Sequence, residues 1–228
     1  MTHADSSVYP HNARQNMCRL VPASARRVLD VGCNTGAFGD ALKHDRTIEV
    51  WGIEPNPMAA ERASRLLDVV ITATFDTQAD VPDAAFDAVI FNDVLEHFAD
   101  PWSALRLAAR KLKPGGCVVA AIPNLRQIDN LLHLVLEGNF RYEARGIRDR
   151  THLRFFTRKS IPALFGESGY RIAHLAGINE DWWTPSLLRR ACFRLFGNYL
   201  ADTKFMQFAV VAFPEDGSST LASDGFPR

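Results

Sequence analysis

A chain of 228 residues is long enough for one α/β domain with a substantial core and too short for two independent domains plus linkers. Lys plus Arg equals Asp plus Glu at 26 each, so no overall field draws the chain to nucleic acid or to an acidic surface. Cys18, Cys33, Cys117 and Cys192 form no C-x-x-C pair, which argues against a zinc knuckle or dithiol redox site and suits reduced thiols in a cytoplasm.

Residues 1–26 read as a polar N-terminal arm or short helix, punctuated by Pro10 and Pro22 and lacking the apolar stretch of a signal peptide. No run is long enough to span a bilayer, so the expected location is the cytoplasm. Short runs rich in β-branched and apolar residues then predict strands at 28–31, 50–53, 69–75, 88–91 and 117–122. Helices are predicted between them at 37–43, 57–67 and 101–112, the last with an apolar face of Trp102, Leu105, Leu107, Ala108 and Leu112. Regular alternation implies right-handed crossovers and a parallel sheet covered on both faces.

KPGG at 113–116 predicts the turn into the fifth strand. From about 125 to 156 the alternation breaks into a cap insertion, a helix followed by a basic, aromatic-containing loop. A helix over 157–170, with Thr157 as N-cap and Gly169 just past its end, restores the pattern, and the last two strands are predicted at 171–177 and 205–213. Between them, DWWTPSLLRRACFRLFGNYL (181–200) predicts an amphipathic helix with Leu187, Leu188, Ala191, Cys192, Leu195 and Phe196 at helical spacing. That stripe suits burial as a lid or at a homodimer surface; its arginines and tryptophans also suit peripheral contact with an anionic membrane or a lipid-linked substrate. The tail, 214–228, is rich in Ser, Gly and Asp and reads as disordered.

The strongest local signal is LDVGCNTGAFG (29–39), a strand that runs into a glycine-containing turn and then a helix. In an open parallel sheet the ligand crevice lies beyond the C-terminal strand ends, and Gly32 and Gly36 are expected to let the backbone approach a ligand there. The G-x-x-x-G spacing, with no following Lys-Ser/Thr, argues against a pyrophosphate or triphosphate. Asp30 would place a carboxylate beside the ligand, unfavourable next to phosphate and favourable next to an ammonium or sulfonium. Glu54 closes the second strand, where a carboxylate can accept both hydroxyls of a ribose. An adenosine without phosphates fits this pair; the competing reading is a glycine turn used only for packing, with Glu54 a solvated strand end.

VLDVGCNTGAFG, the acid of GIEPN, FDAVIFNDVLEHFADP, LKPGG and THLRFFT stand in the order seen in class I S-adenosylmethionine-dependent methyltransferases, which the chain resembles over about residues 27–177. With its tripeptide Leu95-Glu96-His97 it looks most like small-molecule members such as ubiquinone-type O-methyltransferases and cell-surface sugar methyltransferases. The resemblance implies a methyltransferase domain over 27–213. Its fold would be a Rossmann-like, doubly wound α/β sheet of seven strands in the order 3-2-1-4-5-7-6, the last antiparallel. It implies S-adenosyl-L-methionine as cofactor, with Asp30 and the backbone through Gly32, Cys33 and Gly36 at the methionine end and Glu54 on the ribose. Asp76 would meet the adenine amino group, and Asn92 and Asp93 the methionine moiety or the substrate. Asp76 stands in ATFDTQAD without the family's usual glycine, so a plain strand-end carboxylate competes with that role.

Methyl transfer from a sulfonium is an in-line displacement, so the protein mainly aligns the acceptor and excludes water, adding a base where the acceptor must lose a proton. His97 is expected on a helix after the fourth strand, sharing one face with Asp93 and Glu96. The three can hold a divalent cation, His97 can act as base without a metal, or His97 can simply pack against the cap. His152, in the stretch that lines the substrate side in the families it resembles, is the other candidate base; a hydrogen bond tying the cap to the sheet is the alternative. Arg145, Arg148, Arg150 and Arg154 surround it and suit either an acidic acceptor or an ordinary solvated loop.

The expected reaction is O-methylation of a small-molecule acceptor, sugar or quinone-like. N- or C-methylation and a catalytically silent cofactor-binding regulatory module are the alternatives. No nucleic-acid partner is expected, because the net charge is zero and Asn92-Asp93-Val94-Leu95 stands where an Asn/Asp-Pro-Pro-aromatic motif would.

Overall fold

The computed structural model describes residues 11–180, 194, 196–197 and 199–215. Its strands are β1 (Arg27–Val31), β2 (Glu49–Ile53), β3 (Val69–Ile71), β4 (Phe86–Asn92), β5 (Leu112–Pro123), β6 (Tyr170–Ile178) and β7 (Gln207–Pro214). The helices are α1 (His11–Cys18), α2 (Ala37–Asp45), α3 (Pro57–Ala63), α4 (Pro101–Lys111), α5 (Ile128–Leu136) and α6 (Ser160–Glu167). The strands form one seven-stranded sheet, β3-β2-β1-β4-β5-β7-β6, parallel throughout except for β7, which runs against both neighbours. This is the expected doubly wound topology, with β1 and β4 adjacent where the strand order reverses.

Successive strand residues face opposite sides, which divides the core in two. Leu29, Val31, Val89, Phe91, Val118 and Val210 pack toward Leu105 and Ala108 of α4 and Ile161 and Phe165 of α6. Val28, Ala88, Ile90, Val119 and Val211 pack toward Met17 of α1, Phe38 and Leu42 of α2 and Ala63 of α3. Each large side chain buried this way contributes about 1.5–3 kcal/mol of transfer free energy. Coverage on both sides is why the strands read as solid apolar runs rather than as alternation.

Some boundaries move for local reasons. β3 is an edge strand of three residues, ending at Ile71 rather than 75, because Asp76 draws the chain into a turn by accepting from the Thr74 hydroxyl at 2.6 Å and the Gln78 amide at 2.8 Å. α3 stops at Ala63 instead of 67, where Ser64 turns its hydroxyl back to the Glu61 carbonyl at 2.8 Å. The KPGG segment lies inside β5, with a register shift opposite Phe86 and Ala88 and Gly115 at φ 78°. The helix starts only at Ser160, with Lys159 rather than the expected Thr157 as N-cap, because Thr157 accepts from the Ser160 amide at 3.2 Å in a turn ahead of it; Gly169, at φ 79°, follows its end as expected.

In the cap region α5 leads into a loop closed by the Arg148–Glu143 ion pair and by the Glu143 amide donating to the Arg148 carbonyl at 2.9 Å. The predicted disordered tail lies outside the described residues from 216 onward, as do residues 1–10 of the arm. Most of the predicted 181–200 helix also lies outside them; Phe196 and Tyr199 are described, helical and exposed. Among the described residues no helix is long and apolar enough to cross a membrane.

Candidate functional site

The turn after β1 is built by two left-handed glycines, Gly32 at φ 67° and Gly36 at φ 82°, where a side chain would strain the backbone. The Gly32 and Cys33 amides both donate to the Ile53 carbonyl, at 2.8 and 3.2 Å, fastening the turn to the end of β2. A Cβ on Gly32 would sit 2.7 Å from a γ-methyl of Val94, and one on Gly36 would sit 3.1 Å from Cα of Ala63. The glycines thus leave room for neighbouring protein: Gly32 for the loop after β4, Gly36 for α3.

Asp30 is 2 % exposed and Glu54 9 %. The Glu54 carboxylate accepts from the Asn34 and Asn56 amides, each at 2.9 Å, and so binds the first turn to the loop entering α3. Burial pushes the Cys33 thiol far up, and the Asp30 and Glu54 carboxylates push it further. Cys33 is therefore an inert thiol, and Gly52 on β2 leaves space for it: a Cβ there would meet Sγ at 2.5 Å. From Asp30 to Gly36 and from Glu54 to Asn56 the side chains include two carboxylates and no cation, a setting for a cationic, phosphate-free ligand.

At the end of β4 both polar atoms of the Asn92 amide are buried without a hydrogen-bond partner. Orphaned groups of this kind are costly unless something bound satisfies them. These features fit S-adenosylmethionine, whose ammonium, carboxylate and ribose hydroxyls match carboxylates, backbone amides and a side-chain amide. Asp93 follows at φ 56°; its carboxylate accepts from Gln207 of β7, which in turn accepts from Asn179. Asp76 lies past β3 and is exposed, its carboxyl lowered first by the Thr74 hydroxyl and then by the Gln78 amide.

The segment Leu95–His97 is one 3-10 turn rather than an α-helix, and this regroups the expected trio. Asp93 turns toward Gln207. Glu96, His97 and His152 instead bring one ligand-capable atom each to within 4.8 Å of one another. The cap is hydrogen-bonded to this turn: the Leu153 and Arg154 amides donate to the Glu96 carbonyl at 2.8 and 3.0 Å. His97 Nδ1 lies 3.2 Å from the Thr151 carbonyl and His152 Nδ1 3.2 Å from that of Ile147. The two rings meet edge to face at 4.7 Å between centroids.

Glu96 is 1 % exposed, both its oxygens lack a hydrogen-bond partner, and the nearest cationic candidate, His152 Nε2, is 3.8 Å away. Burial, then the neighbouring Asp93, raises its pKa well above the carboxylate range, which favours the acid form. Burial, then His97, lowers that of His152, which favours the neutral ring.

Two of the four clustered arginines are committed within the protein. Arg148 pairs with Glu143, and Arg154 donates to the Ala99 carbonyl and lies over Trp102 at 5.8 Å. Gln207 escaped the sequence reading, since nothing in a glutamine of the last strand announces a partner 114 residues away.

A family model described as a methyltransferase domain matches residues 9–175. The ubiquinone biosynthesis O-methyltransferase of Azorhizobium caulinodans is 27 % identical over 76 % of this chain and 68 % of its own length. That of Alkalilimnicola ehrlichii is 38 % identical, but the match spans only 43 % of this chain and 42 % of that protein. The O-methyltransferase resE of Aspergillus sclerotiorum is 29 % identical over 72 % of this chain and 74 % of its own. Among solved structures, a methyltransferase in complex with the Haloferax volcanii Trm112 activator superposes with a TM-score of 0.67 at 19 % identity over 92 % of this chain and 91 % of that one. A SAM-dependent methyltransferase from Archaeoglobus fulgidus gives 0.60 at 19 % identity, over 88 % and 92 %. With its fold, its acidic glycine turn and a family match over most of its length, the chain belongs to the methyltransferase-domain family.

Proposed function

We propose that this enzyme methylates a hydroxyl oxygen of a small-molecule acceptor, with His97 receiving the acceptor's proton. The observation that carries the reading is the cluster of His97, His152 and Glu96 beside the strand end that bears Asn92. S-adenosylmethionine, when bound, supplies the electrophilic methyl group. Asp30, the backbone from Gly32 to Gly36, Glu54 and Asn92 hold it, and Asp76 reaches its adenine side.

His97 is the exposed member of the cluster. The Thr151 carbonyl can only accept, and the Thr151 hydroxyl, 3.1 Å from the same nitrogen, spends its hydrogen on Asp149, so the hydrogen stays on Nδ1 and the lone pair on Nε2. As the acceptor oxygen takes the methyl group, its proton passes to that nitrogen. His152 is buried, and the same argument fixes its Nδ1 hydrogen toward Ile147, so it serves to orient the ring of His97 rather than to meet the acceptor. An aliphatic alcohol needs such a base more than an amine or a phenol does, and the relatives named above as O-methyltransferases agree with oxygen as the target.

A second reading has the cluster hold a divalent cation, favoured by the 4.8 Å grouping of its ligand atoms. It requires Glu96 to surrender a proton that burial holds in place. Incubation with metabolite extract and a carbon-13-methyl cofactor tests both: the labelled product's methyl chemical shift identifies the atom methylated, and repeating the reaction in chelator tests the metal. A labelled amine or carbon product would overturn the oxygen assignment.

A further inference from the structure

Between α5 and the loop 143–148 lies a cavity of about 240 Å³, whose polar lining includes Asp129, Asn130, Glu143 and Arg148 and whose apolar lining includes Ile147 and Met206. Two of these residues carry buried atoms that no protein group satisfies, Oδ1 of Asn130 and Nη1 of Arg148. Asn130 is 5 % exposed, and its Nδ2 is already spent on the Leu125 carbonyl at 2.6 Å. Arg148 uses Nη2 on Glu143. An acceptor and a donor are thus left unmatched in one small space, an arrangement that persists where a ligand completes it.

The cavity adjoins His152, whose ring packs against that of the proposed base. Its lining residue Ile147 accepts from His152, and Met206 precedes Gln207, which donates to Asp93. It is smaller than the roughly 300–1,000 Å³ of drug-sized sites, so it takes a single small ring. Two carboxylates line it with one guanidinium that is already paired, so an acidic acceptor would meet a net negative wall. A hydroxyl both donates and accepts, so neighbouring hydroxyls can serve Arg148 Nη1 and Asn130 Oδ1 together.

Resting on the O-methyltransferase reading, we propose that this cavity is the acceptor subsite for a neutral polyhydroxylated ring, a sugar rather than a quinone-like or acidic compound. The test is ligand-observed NMR on the full chain saturated with S-adenosylhomocysteine. The neutral probes are methyl glycosides of gluco, galacto, manno and rhamno configuration; glucuronate and 3,4-dihydroxybenzoate are the acidic and aromatic comparators. At least one neutral glycoside should bind. Its affinity should fall about tenfold or more in both Arg148→Lys, which keeps the charge opposite Glu143, and Arg148→Met, while affinity for S-adenosylhomocysteine is unchanged. Silence from every neutral glycoside, binding of the comparators alone, or glycoside binding indifferent to both substitutions would overturn the subsite while leaving the methyltransferase reading intact. Failure to bind S-adenosylhomocysteine at all would overturn both, and the same samples report it.

Discussion

Replacing Gly32 by alanine separates two explanations of the glycine turn. The new Cβ would stand in a left-handed conformation at φ 67°, costing about 1–2 kcal/mol, and 2.7 Å from a γ-methyl of Val94. Overpacking of that kind adds about 1–3 kcal/mol, so the total is about 2–5 kcal/mol, enough to lower the melting temperature by several degrees in a chain of this size. Val94→Ala in the same background should return the steric part and leave the conformational part. Urea denaturation of the two single variants and the double variant gives the coupling, and calorimetry with S-adenosylhomocysteine gives the binding. If Gly32→Ala keeps full stability yet loses the ligand, and Val94→Ala restores nothing, the glycine spares ligand space and the packing argument fails.

Glu54→Gln should weaken S-adenosylhomocysteine by about 1.5–3 kcal/mol, the scale of hydrogen bonds to a charged group; calorimetry showing unchanged affinity in the folded variant would remove the ribose assignment. His97→Gln should lower turnover about a hundredfold or more with cofactor affinity kept, whereas turnover insensitive to it would move the base elsewhere. Activity should survive chelation, and loss in EDTA reversed by magnesium would favour the cation reading of the same cluster. Glu96→Gln should change how stability depends on pH. The native chain holds the Glu96 proton that the unfolded chain releases above the ordinary 4.5, so wild-type stability from this group falls as pH rises toward the raised native value. The variant should therefore gain on wild type with increasing pH in chemical denaturation, and a constant difference would show that Glu96 is ionised. His152 acts in the opposite sense, its lowered pKa withdrawing stability as pH falls below the ordinary 6.5.

The fold was legible because burial on both sheet faces leaves a simple trace. Val28–Val31, Ala88–Phe91 and Cys117–Ile122 are almost wholly buried, and such runs between helical stretches have few other uses. Where the sequence misled, a local polar contact outweighed the apolar pattern. Phe75 is buried but belongs to no strand, because Thr74 and Asp76 turn the chain around it. Leu67 is buried beyond the end of α3, packing where a Cβ on Gly36 or Gly52 would fall. Both residues keep their core role while leaving the element that periodicity gave them.

The site divides along a similar line. The proximity of Asp30, Gly32, Gly36 and Glu54 was readable because one strand-turn-helix unit and the next strand end supply them, so short sequence distance stood in for closeness in space. The cluster around His97 was not, since the helix assumed after β4 aligned Asp93 with Glu96 and His97, and a 3-10 turn does not. His152 replaces Asp93 because two cap amides seize the Glu96 carbonyl, a long-range backbone contact with no side-chain signature. The loop 143–154 thereby ends on the turn that bears the proposed base, while its earlier residues line the cavity that receives the acceptor. Changes in that loop's length or charge should therefore alter acceptor choice and the placement of His97 together. The Asp30-to-Gly36 turn makes its contacts with β2, α3 and the loop after β4, so its grip on cofactor should be unaffected.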